Sequence, residues 1–183
     1  VLFGDKVPSG KLTATMPKSV GQIPLYYNHL NTGRPLKEGK WFSKFTSNYL
    51  DIDNDPLYPF GYGLSYTTFK YGKPTLSSNT MTNNETISVS VDITNTGNYD
   101  ADEIAQMYIR DLAASVSRPV KELKGFERIS IKKGETKTVT FTITPEDLKF
   151  YNQELEYKNE PGEFEVMVGP NSKDVQTLTF TLK

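Results

Sequence analysis

The amino-acid sequence predicts an all-β fold, a sandwich of two packed sheets preceded by a long, irregular, aromatic-rich N-terminal segment. Three observations carry this expectation. Beyond residue 69, apolar and polar residues alternate at a period of two in several short runs. Clusters of Gly, Pro and Asn separate those runs. The composition also shifts near residue 72: the first 72 residues hold 13 of the 22 aromatics, 8 of the 13 glycines and the only Trp and His.

Taken in chain order, VLFGD (Val1–Asp5) reads as a helix end stopped by Gly4, and SGKLTATMP (Ser9–Pro17) as one strand ended by Pro17. Pro24, Gly33, Pro35, Gly39, Pro56, Pro59, Gly61 and Gly63 then recur too closely for long elements. The same stretch carries Tyr26, Tyr27, Trp41, Phe42, Phe45, Tyr49, Tyr58, Phe60 and Tyr62. So many rings do not rest in water. A disordered segment has few aromatics and high charge, and this one has the reverse. It reads as an ordered, wrapping segment whose rings pack on a neighbour.

The regular part follows. ETISVSVDIT points Ile87, Val89, Val91 and Ile93 one way and Ser88, Ser90, Asp92 and Thr94 the other, the pattern of a half-buried strand. EIAQMYIR is apolar on both faces in places, as a central strand is, and FERISI reads as a shorter strand. TVTFTIT repeats the alternation with Val139, Phe141 and Ile143, EFEVMVG with Phe164, Val166 and Val168, and TLTFTL with Leu178, Phe180 and Leu182. Turns fall at Asn95–Asn98, Lys133–Glu135, Glu160–Gly162 and Gly169–Asn171, and Pro145 after Thr144 marks a one-turn helix with Thr144 as N-cap. Two sheets packed face to face bury the apolar side of every strand. Short antiparallel strands in this number argue for a sandwich of fibronectin type III or immunoglobulin kind.

Composition narrows the function classes. The net charge is −1 and the longest basic run is Lys132–Lys133, so there is no nucleic-acid footprint and no attraction to an anionic membrane. No apolar run reaches the roughly 18 residues of a membrane span. There is no cysteine, which removes disulfides and thiolate metal sites. The chain begins with Val, and we read it as a piece of something longer. DIDND (Asp51–Asp55) opens like a calcium loop, but Pro56 and Tyr62 stand where that loop needs Gly and Glu. His29 has no second histidine or cysteine to work with and reads as a structural hydrogen-bonding residue. A phosphate loop at VLFGDKVPSGK fails because Leu12 follows Gly10–Lys11, and the Asn84 sequon carries no argument. No metal site and no cofactor is expected. A glycosidase-like carboxylate pair is not excluded by counting, but no spacing singles one out.

Larger blocks resemble a known family. VLFGDKVPSGKLTATMPKSVGQIPLYYNHLNTGRP, PLYPFGYGLSYTTF, RPVKELKGFERISIKKGETKTVTFTITPEDLKFYN and EPGEFEVMVGPNS together resemble, in order and over essentially the whole chain, the C-terminal part of glycoside hydrolase family 3, as in bacterial periplasmic β-glucosidases. The resemblance implies a parent that is a retaining exo-glycosidase acting on terminal non-reducing β-linked sugars. Its barrel-like first domain carries an Asp nucleophile and its second, α/β-sandwich domain a Glu acid/base, so neither catalytic carboxylate is expected in this chain. Residues 1–20 then look like the end of the α/β-sandwich domain, 21–68 like an inter-domain connection and 69–183 like a fibronectin type III-like sandwich. The expected partners are the catalytic domains of the same polypeptide and, in the parent, a β-linked oligosaccharide or glycoside. The implied location is periplasmic or secreted.

Part of the connection is expected to line the substrate cleft, with Trp41, Tyr49, Asp51 and Asp53 as candidates, because sugar sites combine aromatic faces with acidic acceptors. In Pro56–Phe69, Tyr58, Phe60, Tyr62, Leu64 and Tyr66 are expected to be anchors between domains, Phe60 and Tyr66 buried. A detached first segment is expected to be swapped into, or strand-paired with, another copy. The competing reading is a carbohydrate- or protein-binding sandwich module, marked by an exposed aromatic row drawn from Tyr99, Tyr108, Tyr151 and Tyr157.

Overall fold

A computed structural model of the chain describes residues 1–36, 40 and 42–183. In chain order its strands are β1 (Phe69–Tyr71), β2 (Thr75–Leu76), β3 (Thr80–Met81), β4 (Ile87–Asn95), β5 (Ala101–Asp111), β6 (Glu122–Ile131), β7 (Thr136–Ile143), β8 (Phe150–Tyr151), β9 (Tyr157–Lys158), β10 (Gly162–Gly169) and β11 (Gln176–Leu182). One sheet is centred on β4, with β7 along one edge and the short β1 and β2 in succession along the other. The second sheet runs β3-β11-β10-β5-β6, antiparallel except for β3 beside β11. The first stretch of the sandwich thus starts on one sheet and ends on the other. The hairpin β8–β9 stands apart from both sheets.

The core is the set of inward positions that the alternation marks. Ile87, Val89, Val91 and Ile93 of β4 and Val139, Phe141 and Ile143 of β7 face Phe164, Val166 and Val168 of β10 and Phe180 and Leu182 of β11. Phe164 and Phe180 stack with ring centroids 5.5 Å apart. Pro145–Leu148 forms the expected single turn, where the Thr144 amide donates to Asp147 Oδ2 at 2.8 Å.

Three expectations are corrected. β6 is a full ten-residue strand, longer than FERISI suggested. It is an edge strand whose charged outer residues hide the period, and it takes a bulge opposite Met107 and Tyr108. Val1–Gly4 closes a single turn, Gly4 N to Val1 O at 3.0 Å, and does not end a helix. Ser9–Pro17 is not a strand: only Met16 bridges, to Tyr58 of the same chain. Leu12 N donates to Tyr62 O at 2.7 Å and Gly61 N to Leu12 O at 2.8 Å. The backbone groups of Leu12 and Met16 are thus met by residues 57–62 of the same chain.

Candidate functional site

β5 explains what the N-terminal segment does to the sandwich. Ala105, Met107 and Ile109 point into the core, yet Gln106 and Tyr108 on the opposite face are buried too. Their cover is the connection. Tyr27 stacks on Phe60 at 4.2 Å and meets the Tyr108 ring edge-on at 5.8 Å. Gln106 Nε2 donates to the carbonyls of Gly61 (3.1 Å) and Pro170 (2.6 Å), and its Oε1 accepts from the Tyr108 hydroxyl. Ser172 N donates to Phe60 O at 2.9 Å, which adds the β10–β11 turn to the seam. Tyr108 is held in its protonated form by burial, which pushes its phenol well up.

A charged contact closes the same seam at one end of the sandwich. Glu103 shares the inward face of β5 with Ala105. Lys11, from the N-terminal segment, reaches its carboxylate at 3.1 Å, and the Tyr71 hydroxyl donates to it at 2.9 Å. The Lys11 and Glu103 side chains are only 15% and 6% exposed. Burial and the adjacent Glu103 carboxylate push the Tyr71 phenol up, so it stays a donor.

The rest of the connection is gathered at a second point. Gln22 is 0% exposed. Its Oε1 accepts from the amides of Lys18 (2.6 Å) and Ser19 (3.3 Å), and its Nε2 donates to the carbonyls of Asp53 and Asp55, both at 3.1 Å. The Tyr49 hydroxyl donates to the Gln22 carbonyl at 3.1 Å. Outside this knot Lys18 pairs with Asp53 at 2.7 Å, and Lys173 of the β10–β11 turn pairs with Asp55 at 2.8 Å. Residues 18–22 and 49–55 therefore form the neck of a long loop, and the acid run is part of that neck.

The sequence candidates separate accordingly. Tyr49 and Asp53 are engaged in the neck. Asp51 is exposed at its edge with no side-chain partner among the described residues. Trp41 lies outside the described residues. In the stretch 56–69, Phe60 is half-buried under Tyr27 and Tyr62 stacks on Tyr58 at 4.9 Å. Leu64 is exposed, and Tyr66 is 47% exposed, its hydroxyl donating to Val1 O at 2.9 Å. His29 is exposed and hydrogen-bonds the Leu30 carbonyl. Of the four tyrosines named for an aromatic row, Tyr108 lies under the connection, Tyr151 and Tyr157 pair with each other on the β8–β9 hairpin apart from both sheets, and Tyr99 is exposed in the β4–β5 turn.

Sequence reasoning missed Lys11, Gln22, Glu103 and Gln106. Gln106 did leave a signal, a polar residue in a strand otherwise apolar on both faces. Gln22 left none, because a side chain bonding to distant carbonyls has no period. Among the described residues no group of His, Asp or Glu is arranged to hold a metal ion.

The neck carries its own pH dependence. The hydrogen bond from Lys18 holds the Asp53 carboxyl below its ordinary value. A lowered folded value contributes stability above the unfolded value and loses it as pH falls through the folded one. The pair is solvent-exposed enough to contribute less than about 1 kcal/mol. Protection of the amides at residues 18–22 and 53–55, taken relative to their intrinsic exchange rates at each pH, is expected to fall modestly on acidification through the carboxylate range, and less so in Asp53→Asn. Identical acid profiles in both proteins would refute this.

Residues 1–66 match the glycosyl hydrolase family 3 C-terminal domain, and residues 103–172 a fibronectin type III-like domain. The chain is 56% identical to a periplasmic beta-glucosidase of Salmonella typhimurium, over all of this chain and 24% of that protein. It is 48% identical to a putative beta-xylosidase of Formosa agariphila, over all of this chain and 23% of that one. A crystal structure of a beta-glucosidase from Listeria innocua in complex with gluconolactone shares the fold with a TM-score of 0.92 at 45% identity, covering 99% of this chain and 25% of that chain. The beta-D-glucoside glucohydrolase of Trichoderma reesei does so with a TM-score of 0.73 at 31% identity, covering 100% and 28%. The chain thus spans about a quarter of the length of the curated relatives it matches. Sequence blocks, sandwich topology and these matches agree: the chain carries sequence of the glycosyl hydrolase family 3 C-terminal domain followed by a fibronectin type III-like domain.

Proposed function

We propose that this chain is a structural part of a β-glucosidase-like enzyme, a retaining exo-glycosidase that removes terminal non-reducing β-linked sugars through two carboxylates and a covalent glycosyl intermediate. In this reading both carboxylates lie upstream, in the catalytic domains, and the chain itself is inactive. Residues 1–20 end the α/β-sandwich domain, 21–68 connect, and 69–183 form the buttressing sandwich. The whole protein works in the periplasm or outside the cell, as the name of the Salmonella relative suggests.

The observation that carries the reading is how the N-terminal segment divides its apolar residues. Some are spent on β5, through Tyr27 and Phe60, with Gly61 beside them. Others stand exposed: Leu2 and Phe3, each 93% exposed, and Val20, Ile23, Phe45 and Leu50. Apolar groups in that number call for a cover, and the preceding domains of the same polypeptide are the cover proposed. Asp51, exposed at the edge of the neck, is proposed to face the substrate cleft, and Trp41 is proposed beside it from the sequence alone.

The test is direct. The purified chain is expected not to hydrolyse an aryl β-glucoside, while the full-length protein does. Turnover by the chain alone, surviving removal of host glycosidases, would overturn the proposal.

A further inference from the structure

We infer that Gln22 is a positioning residue for the active site of the whole enzyme. It ties the neck formed by residues 18–22 and 49–55 and so sets where Asp51 stands. The inference rests on the reading that this part of the connection lines the substrate cleft.

The geometry singles out this residue. A glutamine amide can accept two hydrogen bonds and donate two, and Gln22 does all four, within one buried side chain. The acceptor half grips the chain entering the loop, at Lys18 and Ser19. The donor half grips the chain leaving it, at Asp53 and Asp55. Its own carbonyl takes the Tyr49 hydroxyl. The two arms are otherwise held differently. The first arm is fastened to the sandwich: the Tyr27 hydroxyl takes the Leu123 amide, and Leu30 bridges Pro119. The second is fastened to the loop itself, through Ser47 to Arg34 and Asn54 to Ser47, and at its end by the Lys18–Asp53 and Lys173–Asp55 pairs, whose charged groups are largely in solvent. Gln22 is the fully buried contact among those that refer the second arm, and Asp51 on it, to the rest of the fold. A group held to within a fraction of an ångström through its supports loses binding when those supports slacken.

Substitutions are made in the full-length enzyme and read on an aryl β-glucoside. Gln22→Glu keeps the shape and the acceptor but aims a carboxylate at two carbonyls. It is expected to raise KM roughly tenfold while kcat changes less than about threefold. Tyr49→Phe deletes one hydroxyl and leaves the fold intact, so it answers the question even if Gln22→Glu does not fold; its KM is expected to rise about threefold. Trp41→Ala and Asp51→Asn probe the cleft reading itself and are expected to raise KM. If those two raise KM and the Gln22 and Tyr49 variants only lower Tm, Gln22 is merely structural and the inference falls while the reading stands. If all four leave KM unchanged, the cleft reading falls and takes the inference with it.

Discussion

Gly61→Ala is expected to detach the connection from the sandwich. Gly61 adopts a positive φ of 78°, where an alanine pays about 1 kcal/mol or more. Space is the larger difficulty. A Cβ built there would lie 2.0 Å from Gln106 Oε1 and 2.7 Å from the other two atoms of that amide. Gln106 sits on a central strand and is buried, so the clash is relieved by expelling the amide or by lifting residues 57–62. Expelling the amide strips partners from the Gly61 and Pro170 carbonyls and from the Tyr108 hydroxyl, at about 1–3 kcal/mol for each buried group left unsatisfied. Lifting the segment uncovers Tyr108 and unstacks Phe60 from Tyr27. Either route costs about 3–5 kcal/mol, which for a chain of this size lowers Tm by about 10 °C. Because the sandwich core lies on the other face of β5, the loss should be local first. Amides of residues 57–63 and of the Leu12–Tyr62 pairing should exchange faster, while β4, β7 and β10 keep their protection. A variant with unchanged Tm and a protected connection would show that the seam does not hold the two parts together.

What was legible follows from how each region is stabilised. β4 and β7 each bury one face and turn the other outward, and β10 does so as far as Glu165, so Val89 or Phe141 declares itself by its polar neighbours. β5 is buried on both faces, and the run EIAQMYIR revealed that much, but nothing in it says that the outer cover is Tyr27, Phe60 and Gly61. The connection is stabilised by side chains bonding to distant backbone: Gln22 to Asp53, Asn54 to Ser47, Tyr27 to Leu123. Such bonds depend on where a chain without regular structure happens to return, and neither propensity nor period records that. For the same reason DIDND read as an acidic stretch of open function, when two of its carboxylates are in fact answered by Lys18 and Lys173.

The second large effect concerns the charged contact at the end of the seam. Lys11→Ala leaves the Glu103 carboxylate buried with only the Tyr71 hydroxyl as partner. Removing one member of a buried pair typically costs about 3–5 kcal/mol, because the survivor keeps its desolvation penalty without its counter-charge. Replacing both members is far milder. Lys11→Met retains most of the stem volume, and Glu103→Gln retains an acceptor for the Tyr71 hydroxyl without a charge. The double variant is therefore expected to lose less than about 2 kcal/mol, less than Lys11→Met alone, with a coupling of about 2–3 kcal/mol between the two sites. Urea unfolding of the single and double variants, followed by far-ultraviolet circular dichroism, measures the cycle. Additive losses, each below about 1 kcal/mol, would mean that the pair behaves as a solvated surface contact. A strong coupling would mean more than stability. Lys11 lies on the N-terminal segment and Glu103 on a sandwich strand, 92 residues apart in sequence. A buried charge that is satisfied in only one alignment penalises every other way of laying that segment against the sandwich. Phe60, stacked on Tyr27, adds area to the seam, but a ring face tolerates sliding. The Lys11–Glu103 contact does not, and with the hydrogen bonds of Gln106 to Gly61 and of Ser172 to Phe60 it fixes the register of the chain that reaches the sandwich.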